Sequence, residues 1–175
     1  MTINAGYFPQ YPLHDNLPDP EIRTFVTNFY QASDRPDSDE LWISYFINDA
    51  VVTMGNDVGR GTQEIRELRG RMWTHVSSRK HTVTKVFSAR FKTTEEEREA
   101  GEEDGEEQQR RREECELMLF GQVDLTLKDG GSAAVVPWAG HATVVRDTTA
   151  LAGSGETKRS KGEWKFAQYR VWLQK

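Results

Sequence analysis

The sequence has little cysteine, no long apolar run and no surplus of positive charge, and each shortage excludes a class of protein. Its 175 residues include a single cysteine, Cys115, so an internal disulfide is impossible and a reducing, cytoplasmic environment is expected. No stretch reaches the ~18 apolar residues that a membrane span needs. The N-terminus also lacks a basic stretch followed by an apolar block. We therefore expect neither a membrane partner nor a secretory signal.

The sequence also lacks the short motifs that accompany cofactors. No spacing of cysteine or histidine suits a metal ion, and neither a P-loop nor a GxGxxG motif is present. We therefore expect no metal and no cofactor. The net charge is −5, but the segment from Glu95 to Glu114 alone holds 11 acidic and 4 basic residues. The remainder carries a small basic excess with no basic face, so we expect no nucleic-acid partner.

The length favours one domain, residues 19–175, preceded by an extended arm, residues 1–18. The arm contains aromatic residues such as Tyr7 and Tyr11 but shows no period. Either these side chains pack on the domain or the terminus is frayed. The acidic segment 95–114 is polar on every side and is interrupted by glycine. We interpret it as a flexible insertion at the tip of a hairpin.

Three apolar stripes with helical spacing occupy the first part of the domain. The first follows Asp19-Pro20-Glu21, which suits a helix start because Asp caps the first turn and Pro fits its first position. The stripes are Ile22, Phe25, Val26, Phe29 and Tyr30, then Leu41, Trp42, Tyr45 and Phe46, then Ile65, Leu68, Met72, Trp73 and Val76.

Strand-like segments make up most of the remaining chain. They are Ala50 to Met54, His81 to Phe87, Leu117 to Leu127, Ala134 to Arg146 and Trp164 to Leu173. In the third of these, the odd-numbered positions form the more apolar face. Helices followed by strands in this order predict an α+β fold, in which a sheet curls around the helices and leaves a pocket between them.

Three motifs in this order resemble the nuclear-transport-factor-2-like superfamily, and more closely its SnoaL-like branch. They are Gly61-Thr62-Gln63-Glu64-Ile65, His81-Thr82-Val83-Thr84-Lys85-Val86 and Gly162-Glu163-Trp164-Lys165-Phe166. The resemblance implies a cone-shaped α+β fold, with three N-terminal helices packed in a strongly bent antiparallel sheet. It also implies a homodimer formed through the outer face of the sheet.

Within that superfamily, Gly140-His141-Ala142 and the segment 162–167 are similar to the C-terminal motifs of scytalone dehydratases. This similarity implies that His81 takes the place of one pocket histidine and that Asp34 lies near the aspartate of a helix–loop junction. The chain departs from the dehydratase pattern where a second histidine, a serine, an asparagine and a tyrosine would stand. Those positions map to Gly121, Val144, Arg146 and Thr53.

His81 is the strongest candidate for catalysis because an imidazole can transfer protons near neutral pH. Asp34 could orient it and stabilise its cation, with Asp37 as an alternative for the same role. Either carboxylate could equally serve the turn between the first two helices. Asp124 and His141 lie opposite apolar faces of their strands, so we expect both to point outward.

A second set of residues is expected to line the pocket. Aromatic lining suits a flat or apolar ligand, although the same residues could belong to the core. Arg170, which alternation places on one face with Trp164 and Phe166, could hold a carboxylate or an enolate, or it could be a surface arginine. The full set is Tyr30, Trp42, Tyr45, Met72, Trp73, Gly121, Trp138, Phe166 and Arg170.

These residues favour two hypotheses. The first is a cofactor-free dehydratase, isomerase or cyclase that moves a proton on a small apolar or aromatic, polyketide-like substrate. The second is a non-catalytic ligand-binding or dimerisation module that uses the same pocket. The distance between the His81 ring and the Asp34 carboxylate discriminates between them, because only hydrogen-bond reach inside a cavity supports the first.

Overall fold

The computed structural model describes residues 6–89, 114–130, 134–147 and 162–174, and three helices lie in the first of these ranges. They are α1 (Glu21–Ser33), α2 (Asp39–Ser44) and α3 (Gly61–Met72). None of the helices in these ranges has the length and apolarity to cross a membrane. Apart from Glu114, the acidic segment 95–114 lies outside the described residues, and so does most of the loop before the last strand.

Six strands form one sheet against these helices. The order across the sheet is β2-β1-β6-β5-β4-β3, so the last strand lies in its middle and β3 lies at one edge. The strands are β1 (Phe46–Met54), β2 (Asp57–Arg60), β3 (Val76–Ala89), β4 (Glu114–Leu127), β5 (Ala134–Asp147) and β6 (Glu163–Leu173).

The predicted α+β cone is confirmed, but the sheet is mixed rather than wholly antiparallel. Strand β1 runs parallel to β6, whereas every other neighbouring pair is antiparallel. The short strand β2 lies in the segment 55–61, which the sequence pattern does not predict as a strand. Local periodicity reports which face of a strand is buried and not which distant strand lies beside it, so the parallel pair was missed.

Register shifts bend the sheet and change which residues of a strand face the helices. In β6 the register shifts opposite Thr143 and Val144. Phe166 and Tyr169 are therefore both buried, although positions three apart lie on opposite faces of a regular strand. The predicted inner position of Arg170 is wrong for this reason. Its guanidinium lies over the ring of Trp172 on the exposed side of β6.

The core contains a group of packed rings, here called the aromatic cluster: Phe25, Phe29, Phe46, Phe166 and Tyr169. The Phe29 ring centroid lies 4.7 Å from that of Phe166 and 5.2 Å from that of Tyr169. Both contacts are edge-to-face, the arrangement that aromatic pairs prefer. Helix α1 contributes two of the five rings, so its apolar stripe anchors the helix on the concave face of the sheet.

The described part of the N-terminal arm lies along the edge strand β3. The backbone N–H of Val83 donates to Gly6 O at 2.8 Å, and that of Gln10 donates to Thr84 O at 2.9 Å. Val86 N in turn donates to Gln10 O at 3.0 Å. The sequence left open whether the arm packs on the domain or is frayed, and the described part of the arm packs on the domain. There it covers the edge of β3, which would otherwise be unpaired.

Candidate active site

Asp34 and His81 form the centre of the candidate site. Asp34 directly follows α1, and His81 lies on the inner face of β3. The His81 Nδ1 atom lies 2.5 Å from Asp34 Oδ1, and the His81 backbone N–H donates to Asp34 Oδ2 at 2.7 Å. The same Oδ2 accepts a bond of 2.7 Å from the hydroxyl of Tyr7 in the arm. The carboxylate is therefore fixed at both oxygens and cannot rotate away from the imidazole.

Two arginines hold the end of α1 that presents Asp34. Arg79 of β3 donates to the Ser33 carbonyl through Nε at 2.7 Å. Arg69 of α3 donates to the same carbonyl at 2.9 Å and to Arg35 O at 2.6 Å. The Ser33 carbonyl at the end of α1 has no partner within the helix, and cations near a helix C-terminus are stabilised by its dipole. The contacts give Asp34 a rigid support.

Arg69 is a residue of the site that the sequence did not lead us to predict. Its side chain is fully buried, pairs with Asp39 at 3.0 Å and lies 5.2 Å from the rings of both Trp42 and Trp73. A signal was present, because Arg69 follows Ile65 by four residues and so falls on the apolar stripe of α3. A charged residue on such a stripe indicates a buried, partnered charge.

Burial and neighbouring charges fix the protonation of the pair. Burial opposes ionisation of Asp34, but hydrogen bonds from His81 and Tyr7 outweigh it and lower the pKa of the carboxyl. Burial lowers the pKa of His81, and the cations Arg79 and Arg69 add to this, while Asp34 opposes it. At neutral pH we therefore expect a carboxylate beside a neutral imidazole, with the proton on Nδ1 and a free lone pair on Nε2.

Two aromatic side chains lie next to the His81 ring. Its centroid lies 5.2 Å from the ring of Tyr30 and 6.0 Å from that of Trp138, and these two rings stack on each other at 5.3 Å. Within the described ranges, His81 Nε2 has no hydrogen-bond partner. The histidine side chain keeps 16% of its surface exposed, against 6% for Asp34. The arrangement can accept a proton at Nε2 from a neighbouring molecule.

Gly121 allows Trp138 to take this position. A Cβ atom at residue 121 would lie 2.2 Å from Thr82 O and 2.8 Å from Trp138 Cζ2. The indole therefore packs directly on the glycine backbone. The Trp138 Nε1 atom is buried without a hydrogen-bond partner among the described residues. An unpaired buried donor beside the candidate base is a group that a ligand oxygen could satisfy.

The other residues expected to line a pocket lie farther from the His81 ring or within the core. Trp42 and Phe166 are fully buried, and the Trp42 indole donates to Ser33 Oγ at 2.9 Å. Tyr45 packs against Phe25 and Phe29 at 5.6 Å. Met72 is partly buried against the core, and Trp73 lies under the guanidinium of Arg79 at 4.5 Å.

Three further titratable residues that the sequence raised lie away from the pair. Asp37 is exposed, so Asp34 is the aspartate that meets His81. His141 lies on the face of β5 opposite the buried Ala142, and its Nε2 lies 3.0 Å from Glu116 Oε2. Asp124 alternates with the buried Val123 on β4. Among the described residues, no group of three or more acidic, histidine or cysteine side chains could hold a metal ion.

Solved structures with this fold support the sequence resemblance. The "Putative Scytalone Dehydratase" of Novosphingobium aromaticivorans superposes with a TM-score of 0.63 at 12% identity, over 88% of this chain and 82% of that one. The hexachlorocyclohexane dehydrochlorinase LinA-type3 of Novosphingobium barchaimii gives 0.61 at 13%, over 91% and 90%. A ketosteroid isomerase-like protein of Erwinia carotovora gives 0.56 at 14%, over 86% and 91%.

The chain therefore has the nuclear-transport-factor-2-like fold that its three motifs predicted. Neither the protein-family models nor the curated proteins match the sequence. At 12–14% identity, the three similar structures establish the fold and leave the reaction to be argued from the site. Two of these proteins are named for elimination reactions, a dehydratase and a dehydrochlorinase, and the third is named for its likeness to an isomerase. The fold alone therefore does not select one reaction.

Proposed function

We propose that the protein is a cofactor-free lyase or isomerase in which His81 is the general base and Asp34 orients it. The observation that carries the proposal is the 2.5 Å contact between His81 Nδ1 and Asp34 Oδ1. The contact meets the distance part of the criterion that separates the enzyme hypothesis from the binding-module hypothesis. A neutral imidazole held in one tautomer by a buried carboxylate is suited to proton abstraction.

The proposed step begins with transfer of a proton from an activated carbon of the substrate to His81 Nε2. The electron pair of the broken C–H bond forms a double bond or an enolate. In an elimination, the leaving group departs with its own bonding pair; in an isomerisation, the proton returns at another carbon. Asp34 stabilises the imidazolium that forms, because its negative carboxylate accepts a hydrogen bond from Nδ1–H while the proton stays on the ring. Such a positioned base contributes roughly 10²–10⁴-fold.

The substrate we propose is small, flat and largely apolar, and carries an oxygen next to the reacting carbon. Tyr30 and Trp138 offer aromatic surface beside the His81 ring. The unpaired Nε1 of Trp138 would donate to a ligand oxygen, where negative charge develops when an enolate forms. Gly121 supports this geometry because any larger residue would displace the indole.

Deuterium exchange tests proton abstraction before the physiological substrate is known. Flat ketones, beginning with 2-tetralone, would be incubated with the protein in D₂O, and loss of the Cα–H signal would be followed by ¹H NMR. We expect exchange with the wild type and a loss of at least ~100-fold in His81→Asn. His141→Asn is the matched control and should keep its activity, because His141 lies on the opposite face. Equal rates in the wild type and in His81→Asn would overturn the proposal.

We further propose that two copies of the chain associate through the outer face of the sheet. Phe120 and Trp172 flank Ala139 in register across three strands, and the Phe87 ring contacts that of Phe120 at 6.0 Å. Phe87, Phe120 and Trp172 are 41%, 39% and 46% exposed, which makes an apolar strip that a partner would cover.

Sedimentation velocity tests the dimer. Phe120→Glu should convert dimer to monomer at micromolar concentration, because it would bury a charge in the contact. Val58→Glu is the control, since Val58 is also 39% exposed but lies on the edge strand β2. A wild type that sediments as a monomer would contradict the proposal.

A further inference from the structure

The N-terminal arm reaches the candidate active site through Tyr7. The Tyr7 side chain is buried, and its hydroxyl donates to Asp34 Oδ2, the oxygen that also accepts the His81 backbone N–H. We propose that Tyr7 is a positioning residue for the His81–Asp34 pair and that the arm is thereby a working part of the site. The catalytic part of this inference rests on the proposed function; the contact itself does not.

The backbone of Tyr7 is held from two sides. Thr27 of α1 donates its hydroxyl to Tyr7 O at 2.9 Å, and the preceding carbonyl, that of Gly6, accepts the N–H of Val83. Gly6 has a φ of 111°, and a Cβ at this position would lie 3.2 Å from His81 O. A residue with a side chain is therefore strained there, and the close approach of the arm to β3 needs glycine. The Tyr7 hydroxyl consequently meets Asp34 with little freedom.

The hydroxyl is a donor at neutral pH. Burial, and then the bond to Asp34, raises the pKa of Tyr7 above its ordinary value. A donor at Oδ2 withdraws charge from the carboxylate, so Asp34 binds the Nδ1–H of His81 less strongly than it would alone. Tyr7 thus limits how far Asp34 raises the basicity of His81, and it also prevents the carboxylate from rotating.

Other charged and titratable groups act on the pair and must be unchanged in any comparison. The Lys80 ammonium lies 3.3 Å from the centre of the Tyr7 ring. Arg79 Nε lies 3.8 Å from Asp34 Oδ1. Among the described residues, the groups that act on the pair, on Tyr7 or on the two arginines are Tyr7 in the arm, Tyr30 in α1, Arg35 after it, Asp39 in α2, Arg69 in α3, Arg79 and Lys80 in β3, and Tyr169 in β6.

The test compares Tyr7→Phe with Tyr11→Phe. Both substitutions remove one hydroxyl from the arm and keep the ring, but the Tyr11 hydroxyl has no hydrogen-bond partner among the described residues. The His81 ring would be titrated by NMR in the full chain of each variant. We expect Tyr7→Phe to raise the pKa of His81 by about half a unit, because the carboxylate regains charge, and Tyr11→Phe to leave it unchanged. Identical titrations in the two variants would overturn the positioning role.

Activity separates this inference from the proposed function. In the exchange assay, Tyr7→Phe should lower kcat several-fold with little change in KM, and the acidic limb of its pH profile should move with the His81 titration. A purely structural role would lower stability without moving that limb. A fully active His81→Asn would overturn the catalytic part of the inference and the proposed function together. An unshifted titration would overturn the positioning role even if His81→Asn were inactive.

Discussion

Helix α1 meets the rest of the protein in two different ways along its length. Its middle turns press Phe25 and Phe29 onto the rings of Phe46, Phe166 and Tyr169. Each of these rings loses contact with water, which stabilises the fold by roughly 1.5–3 kcal/mol for a fully buried side chain. The apolar face of α1 therefore anchors the helix and fixes where its C-terminal end must lie.

That C-terminal end is also buried, but among charges. Here Asp34, His81, Arg69 and Arg79 lie close together, with helix carbonyls between them. Taking ions out of water is costly, and paired geometry only offsets the cost. The comparison teaches that packing in the aromatic cluster stabilises the fold. The buried charges at the polar end lower that stability, but they hold a neutral imidazole beside a fixed carboxylate.

Loss of a ring from the aromatic cluster should have the largest effect on stability. Phe29→Ala removes a ring that contacts six neighbouring aromatic side chains and leaves a cavity. We expect the free energy of unfolding to fall by about 3–5 kcal/mol, measured by urea denaturation. Phe8→Ala, whose ring is 67% exposed in the N-terminal arm, should cost about 1 kcal/mol or less. Similar losses in the two variants would contradict the role assigned to the cluster.

Removing the buried cation Arg69 at the polar end should lower the free energy of unfolding less than the loss of the Phe29 ring does. Arg69→Met leaves the Ser33 and Arg35 carbonyls without these donors and breaks the contact with Asp39, which is half exposed. We expect a loss of about 2–3 kcal/mol in the same denaturation experiment, because the methionine refills part of the volume. Arg66→Met is the matched control one turn earlier in α3, on the solvent side. A loss as small as that of the control would show that the remaining donors, Arg79 to the Ser33 carbonyl and the Ser38 N–H to the Arg35 carbonyl, satisfy these groups without Arg69.

The smallest expected change in the free energy of unfolding is its dependence on pH. Near neutral pH this dependence comes from His81. Its pKa is lowered in the folded protein, so the unfolded chain takes up a proton first as the solution is acidified. The free energy of unfolding should therefore begin to fall as the pH drops below ~6.5, the ordinary histidine value. The lowered pKa of Asp34 adds a second loss below ~4.

His81→Asn should flatten the first of these two losses and also reduce the second, because the hydrogen bond from the His81 side chain is a main cause of the lowered pKa of Asp34. Urea denaturation at a series of pH values from 7.5 downwards measures both. The substitution itself should change stability at neutral pH by about 1 kcal/mol or less, since asparagine is polar and of similar size. An unchanged slope between neutral pH and 5 in His81→Asn would mean that folding does not shift the pKa of His81, against the lowered pKa on which the neutral base depends.

The sequence by itself determined the elements and most of their buried faces. The stripe of α1 is buried at Ile22, Phe25, Val26, Phe29 and Tyr30, as its spacing predicts. The odd positions of β4 are buried at Leu117, Leu119 and Val123. Side chains in helices and strands repeat with fixed periods, so the burial pattern is written into neighbouring residues. The pairing of Asp34 with His81 came from the resemblance, since 47 residues separate them.

Only the tertiary structure decided what depends on residues far apart in the chain. One example is the parallel pairing of β1 with β6. Another is the register shift in β6 that places Tyr169, and not Arg170, on the inner face. Neither has a local signature in the sequence. The Tyr7 hydroxyl reaches Asp34 across 27 residues, because the arm finds an unpaired sheet edge. These contacts form when the packed core brings distant segments together, and no period in the sequence records them.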